Sequence, residues 1–248
     1  MRALYREQIY KHGDCATVSV YPVFASRRVR RGRYKPTNEV QQILNDENRK
    51  DRLTRQLDCY FHAGEGYWTL TFSDERLPQT RRDCLRAWSN FRRRLIRRFS
   101  GEGQGELRMA AVIHGDAGGT DEGGRFHVHA VIGAEIPASE MALIWGQGFV
   151  YVSPLKPGKR GLRGLARYMI KGMRWGRVMT TRNLVDPTPT ERTGRLSRAD
   201  AQAIHDNWDD KTAYKELLPG YEVVDVEPFY NWFNHYYYLR VFLHRIEA

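Results

Sequence analysis

The chain has 248 residues, 40 Lys and Arg against 29 Asp and Glu, and a net charge of +11. That length supports a full hydrophobic core, and the basic balance favours a polyanionic partner, since neutralising phosphates releases their condensed counterions. No uninterrupted apolar stretch approaches ~20 residues, and Met1-Arg2-Ala3-Leu4-Tyr5-Arg6 carries no secretory hydrophobic run, so the expectation is a soluble, cytoplasmic protein with no membrane partner.

Residues 1–60 read as an N-terminal basic and helical extension. Its Ser26-Arg27-Arg28-Val29-Arg30-Arg31-Gly32-Arg33 run is either solvated or an arm laid on nucleic acid. Val40, Ile43 and Leu44, then Leu53 and Leu57, predict one helix or two, capped near Thr37 or Asn38. The alternation in Gly66-Tyr67-Trp68-Thr69-Leu70-Thr71-Phe72 predicts a strand. After Pro78, Leu85, Trp88, Phe91, Leu95 and Phe99 predict an amphipathic helix over 80–99. Its other face carries Arg81, Arg82, Arg86, Arg92, Arg93, Arg94, Arg97 and Arg98, more charge than solubility needs; at least part of it is expected to contact DNA backbone, with a solvated face whose charge is partly absorbed by acidic partners as the alternative. Cys15, Cys59 and Cys84 lack the spacing of a disulfide framework or a zinc ribbon.

A strand is predicted over 107–113, after which His114-Gly115-Asp116 opens a glycine-rich connection. It leads to Arg125-Phe126-His127-Val128-His129-Ala130-Val131-Ile132. In a strand, residues two apart project from one face, so both imidazoles point the same way while Phe126, Val128 and Ala130 pack into a core. This reads as half of a metal site, although two polar residues on the wet face of an ordinary strand share the spacing. A further strand is expected near Phe149–Val152 and a turn at Pro154–Gly161. The segment Gly164–Trp175 then predicts a short helix on which Tyr168 and Lys171 share a face, with Leu165 and Met169 packing beside them. Taken alone, that pair is also compatible with a surface tyrosine above a solvated lysine.

Asp186-Pro187-Thr188-Pro189-Thr190 reads as a linker, and Ser197-Arg198-Ala199-Asp200 as the cap of a helix running toward Trp208. The aromatic run from Phe229 to Tyr238 could stack on unpaired bases, but packing in a core or interface is the more ordinary use. The division is therefore 1–60 as an extension, 61–184 as the core and 185–248 as a C-terminal segment. The order of elements points to an α+β fold with a largely antiparallel sheet covered mainly on one face by helices.

The Thr69-Leu70-Thr71 strand, then His127-Val128-His129, then Tyr168 with Lys171 three residues on, resembles in that order the three motifs of rolling-circle replication initiators. These belong to the superfamily of endonucleases named for the His-hydrophobe-His motif, and the resemblance is to the single-tyrosine type of small phages and plasmids. It covers residues 35–180 and extends to Lys35-Pro36-Thr37-Asn38, to Asn48-Arg49 and to Trp145-Gly146-Gln147-Gly148-Phe149-Val150. It implies a ferredoxin- or RRM-like antiparallel sheet of about five strands. It further implies a divalent metal, Mg or Mn, on His127 and His129, with Tyr168 as nucleophile and Lys171 assisting. Many members supply a glutamate as third ligand where this chain has His114; Asp116 is the next choice and Glu135 the third. An all-histidine set moves preference from magnesium toward softer ions such as manganese. The implied activity nicks and rejoins single-stranded origin DNA through a 5′-phosphotyrosine, with host replication proteins as further partners. A relaxase or single-strand transposase with the same site is an alternative, as is a nucleic-acid-binding module without catalysis.

Overall fold

The computed structural model describes residues 4–23, 39–99 (side chains from Asn45 onward), 106–115, 124–171, 178–194, 196–210, 214, 217–232 and 235–246. In chain order the elements are β1 (Leu4–His12), β2 (Cys15–Val23), α1 (Glu39–Tyr60), β3 (Gly66–Thr71), α2 (Arg81–Phe99), β4 (Met109–His114), β5 (His127–Ile132) and α3 (Ala138–Trp145). There follow β6 (Val150–Pro154), α4 (Arg163–Lys171), β7 (Met179–Thr180), β8 (Thr190–Thr193), α5 (Arg198–Asp206), β9 (Tyr221–Asn231) and β10 (Tyr236–Arg245). They divide into a terminal unit, Met1–Asn45 with Gly158–Gly161 and Asp186–Ala248, and a central unit, Asp46–Pro157 with Leu162–Val185. Each unit is built on a five-stranded antiparallel sheet, so the α+β class and the antiparallel sheet stand. No helix among the described residues is long and apolar enough to cross a membrane.

The terminal unit orders its strands β8-β1-β2-β10-β9. A two-residue turn at Gly13 and Asp14 joins β1 to β2, with Gly13 at φ +57° and His12 opposite Cys15, a conformation that suits the twist of a hairpin. Alternation sends Tyr5, Ile9, Val18 and Val20 into a core shared with Val241, Leu243 and Ala201 of α5. Here the structure departs from the division into 1–60, 61–184 and 185–248, because Val20 lies opposite Leu239 and Glu7 opposite Arg192. The two ends of the chain close one sheet, a pairing between sequence-distant strands that leaves no local signal. Helix α5 begins as expected: the Ser197 hydroxyl accepts from the Asp200 N–H at 3.2 Å, and the Asp200 carboxylate accepts from the Ser197 N–H at 2.7 Å.

In the central unit the order is β6-β3-β5-β4-β7. Every position of β4 and all but the first of β5 are buried, so both faces of the middle strands need cover. On one face Leu70, Ile113, Val128 and Ala130 pack against Trp88, Phe91 and Leu95 of α2 and Trp145 of α3. On the other, Ala110, Val112 and Val131 pack against Leu53 and Leu57 of α1 and Ala166 and Met169 of α4. Helices therefore lie on both faces, where the sequence reading placed them mainly on one. Within α2 the inward stripe is Cys84, Trp88, Phe91 and Leu95. Leu85, expected in that stripe three residues before Trp88, is 38% exposed, and Cys84, four residues before Trp88, takes the buried place. Thr80 caps the helix, its hydroxyl accepting from the Asp83 N–H at 3.2 Å.

Candidate metal and nucleophile site

Strand register assembles the site. His127 and His129 project from the same face of β5, while Phe126, Val128 and Ala130 on the reverse face are buried under α2. The antiparallel partner β4 places His114 opposite His127 and Val112 opposite His129, which puts the third imidazole beside the first two. Gly115 permits this: it has φ +80°, and a Cβ there would lie 2.3 Å from the Arg125 carbonyl oxygen. Only glycine passes that crossing without displacing backbone.

The ligand atoms of His114, His127 and His129 all lie within 4.8 Å of one another, and no carboxylate or thiol of the described residues joins the group. Glu135 is exposed and outside it, and Asp116 lies outside the described residues. His127 Nε2 and His129 Nε2 are 3.1 Å apart. Two metal–nitrogen bonds of about 2.0–2.1 Å, at angles from octahedral to tetrahedral, separate their nitrogens by about 2.9–3.4 Å, so the pair has the spacing of ligands to one ion. Outer hydrogen bonds favour the same use. His127 Nδ1 donates to the Arg125 carbonyl at 2.8 Å, and His114 Nε2 donates to the Met169 carbonyl at 2.7 Å. A carbonyl only accepts, so these contacts assign the tautomers and leave a lone pair on the other nitrogen of each ring.

Two residues of β3 complete the setting: Thr69, which belongs to the first motif of the resemblance, and Tyr67, to which the sequence points for no role. The Tyr67 hydroxyl lies 2.7 Å, and the Thr69 hydroxyl 3.1 Å, from His129 Nδ1. Tyr67 also stacks on the His129 ring, with centroids 5.5 Å apart and planes 13° apart. A hydroxyl can donate or accept, so His129 is free to present Nε2 as a lone pair. The findable signal was alternation: Tyr67, Thr69 and Thr71 share a face of β3, and Thr69 lies opposite His129. Burial depresses the His129 pKa to about 3, and neighbouring His127 and His114 add to the effect. His114 is lowered chiefly by burial too, against the opposing bond to Met169. Both rings are therefore neutral at neutral pH, the form that binds metal. Burial first, and Tyr168 second, push the Tyr67 phenol above its ordinary range, so it keeps its proton.

Tyr168 comes from α4, which is fastened to α1. The Leu162 N–H donates to the Asp58 carboxylate at 2.6 Å, and Arg163 pairs with Asp51 at 2.6 Å with both side chains largely buried. Ala166, Met169 and Ile170 dock inward, and the Met169 carbonyl is the group that orients His114. On the opposite side Tyr168 is 55% exposed, its ring centroid 5.3 Å from His129 and 6.4 Å from both His114 and Tyr67. Lys171 ends α4 as an exposed side chain with no hydrogen bond or ion pair among the described residues. The structure thus brings Tyr168 to the triad but gives Lys171 no contact there.

The arginine-rich face of α2 is partly committed elsewhere. Arg94 donates to the Ile144 carbonyl at 2.8 Å and the Trp145 carbonyl at 3.1 Å, closing the end of α3, and Arg98 pairs with Glu140 at 2.9 Å. More open is a recess of about 870 Å³ at the β7 edge, walled by Arg49 and Arg52 of α1, Arg81, Trp88 and Arg92 of α2, and Thr180. Arg52 and Arg92 make no hydrogen bond or ion pair among the described residues. The basic run at 26–33 lies outside the described residues. Comparison of the chain with known protein families, with curated proteins and with solved structures finds no match.

Proposed function

We propose that the central unit is a metal-dependent endonuclease and strand transferase that nicks and rejoins single-stranded origin DNA, initiating rolling-circle replication. The observation that carries this reading is the convergence of three imidazoles, with ligand atoms within 4.8 Å, beside an exposed tyrosine ring 5.3 Å from one of them. Three imidazole donors meeting without a carboxylate among the described residues suit a cation, and a phenol open to solvent beside them suits a nucleophile that must reach a polymer.

His114, His127 and His129 would hold the ion, and an all-imidazole donor set fits a transition ion better than magnesium. When bound, a divalent cation supplies Lewis acidity to a non-bridging phosphate oxygen. The rest is done by the chain. Tyr168 Oη attacks phosphorus, its phenolic proton leaves, the phosphorus–O3′ bond breaks, and the departing 3′ oxygen takes up a proton. The products are a 5′-phosphotyrosine and a free 3′-OH, and the reverse step reseals the strand without a nucleotide cofactor. Helix α4, anchored by Asp51 and Asp58, holds the phenol over the sheet so that attack needs little further ordering. Lys171 stands one turn further along α4 and could meet the substrate phosphate. The Tyr67 and Thr69 hydroxyls orient His129.

The test incubates the full chain with a pool of labelled single-stranded oligonucleotides and manganese, then identifies any modified tyrosine by mass spectrometry. A nucleotide adduct on Tyr168, with a released fragment ending in 3′-OH, is expected. Intact DNA bound without any adduct would assign the site to a non-catalytic nucleic-acid-binding module.

A further inference from the structure

The face that carries the triad does not end at β3. On β6, Tyr151 lies opposite Thr69, the residue whose hydroxyl meets His129. One step upstream, Phe149 lies alongside Thr71: the Thr71 N–H donates to the Phe149 carbonyl at 2.9 Å, and the Phe149 N–H donates to the Thr71 hydroxyl at 3.2 Å. This close approach depends on Gly148, where a Cβ would lie 2.6 Å from the Thr71 carbonyl oxygen. Between the two aromatics, Val150 packs toward α2 and α3, so strand alternation turns Phe149 and Tyr151 to the opposite face, the one bearing His127 and His129.

Both rings are open to solvent there, Phe149 at 70% and Tyr151 at 60% exposure. Residues two apart on a strand stand about 6.5–7 Å from one another. The surface therefore runs from His114 and the histidine pair, through Thr69 and Thr71, to two exposed aromatic rings. Its strand positions include Tyr67, Thr69, Thr71, His127, His129, His114, Phe149 and Tyr151, none of them acidic. Leaving two large aromatics exposed beside a polar site is costly unless a ligand covers them. A ligand that is both planar and polyanionic fits the stacking surface, the absence of carboxylates and the net charge of +11.

We infer that Phe149 and Tyr151 form a stacking platform for two bases of the single strand whose phosphodiester lies at the triad. Aromatic side chains on an open sheet face receive successive unpaired bases this way, with little dependence on base identity. The inference rests on the nuclease reading only for the neighbouring chemistry. It adds a means of holding the strand in register without charge, complementing arginines that contact phosphates.

The test measures fluorescence anisotropy of labelled single-stranded oligonucleotides on the full chain carrying Tyr168→Phe, so that binding is read apart from chemistry. Adding Tyr151→Ala or Phe149→Ala should each weaken affinity about 5- to 150-fold, the range for losing one stacked base. The log–log salt slope should not change, and Tyr151→Phe should retain near-parental affinity. Both side chains are exposed, so the variants should fold, which circular dichroism checks. Affinity within twofold of the parent, or a loss accompanied by a lower salt slope, would overturn the platform. So would a change in molecular mass by light scattering, which would make the β6 edge an interface between copies. Platform variants that bind weakly while the unmodified chain forms no adduct would sink the nuclease reading alone. Normal adducts with unaltered affinity in the platform variants would sink the platform alone.

Discussion

In the sheet of the terminal unit, charged side chains pair with opposite charges, whereas in the sheet of the central unit three imidazoles meet with no anion of the described residues between them. Arg160 bonds Asp225 at 2.6 Å and Glu227 at 2.7 Å, and its guanidinium lies 3.9 Å from the Phe242 ring centre. Arg6 meets Glu191 at 2.9 Å and Lys159 meets Glu222 at 3.4 Å. Those contacts set each charge against an opposite one, although the buried Nε of Arg6 and of Arg160 has no hydrogen-bond partner among the described residues. The histidine triad instead spends one nitrogen of each ring on an outer hydrogen bond and turns the other inward. Residue type does not distinguish the two regions, since His12 also sits in a strand and bonds the Thr17 hydroxyl at 3.0 Å. What distinguishes them is whether an opposite charge already stands beside the group.

The largest test of that contrast is Tyr168→Phe. It should reduce covalent DNA adduct to background while single-strand affinity stays within about threefold, because only the hydroxyl is lost and the exposed ring remains. A persistent adduct on gel analysis would move the nucleophile elsewhere. Next, His129→Ala and His114→Ala should each lower metal affinity more than about 100-fold by calorimetry, exceeding the 10–100-fold that accompanies loss of a residue that only orients a ligand. Near-native affinity of the His114 variant would point to Asp116, outside the described residues, as the third ligand.

Tyr67→Phe removes one orienting hydroxyl but leaves the stacked ring and Thr69, so metal affinity should fall roughly 10-fold. No change would mean that Thr69 alone sets the His129 tautomer. Smaller still, Arg52→Ala with Arg92→Ala should lower the salt slope of single-strand binding by about 1.4, at roughly 0.7 per lost phosphate contact. An unaltered slope would leave the recess at the β7 edge without a role in backbone contact. The smallest effect is expected from Arg160→Ala. Its side chain is 32% exposed, so losing two partly screened pairs and one ring contact should cost about 1–2 kcal/mol of stability, with metal affinity within twofold of the parent. A large loss of metal binding would show that the Arg160 pairs bear on the triad.

Local pattern was legible in the sequence wherever the physics is local. His127-Val128-His129 in an apolar run specifies two imidazoles on one strand face, three-and-four spacing specifies α2, and Ser197 with Asp200 specifies the start of α5. Tyr168 and Lys171 on one short helix follow from the same kind of periodicity. Long-range pairing decided the remainder. The register that sets His114 beside His127, Thr69 beside His129 and Tyr151 beside Thr69 depends on which strands meet and in what alignment, and that is fixed by the burial of whole faces under α1, α2, α3 and α4. The same holds for β1 and β2, whose partners β8 and β10 lie at the other end of the chain. Side-chain alternation is a property of a segment, but convergence of three nitrogens is a property of the sheet.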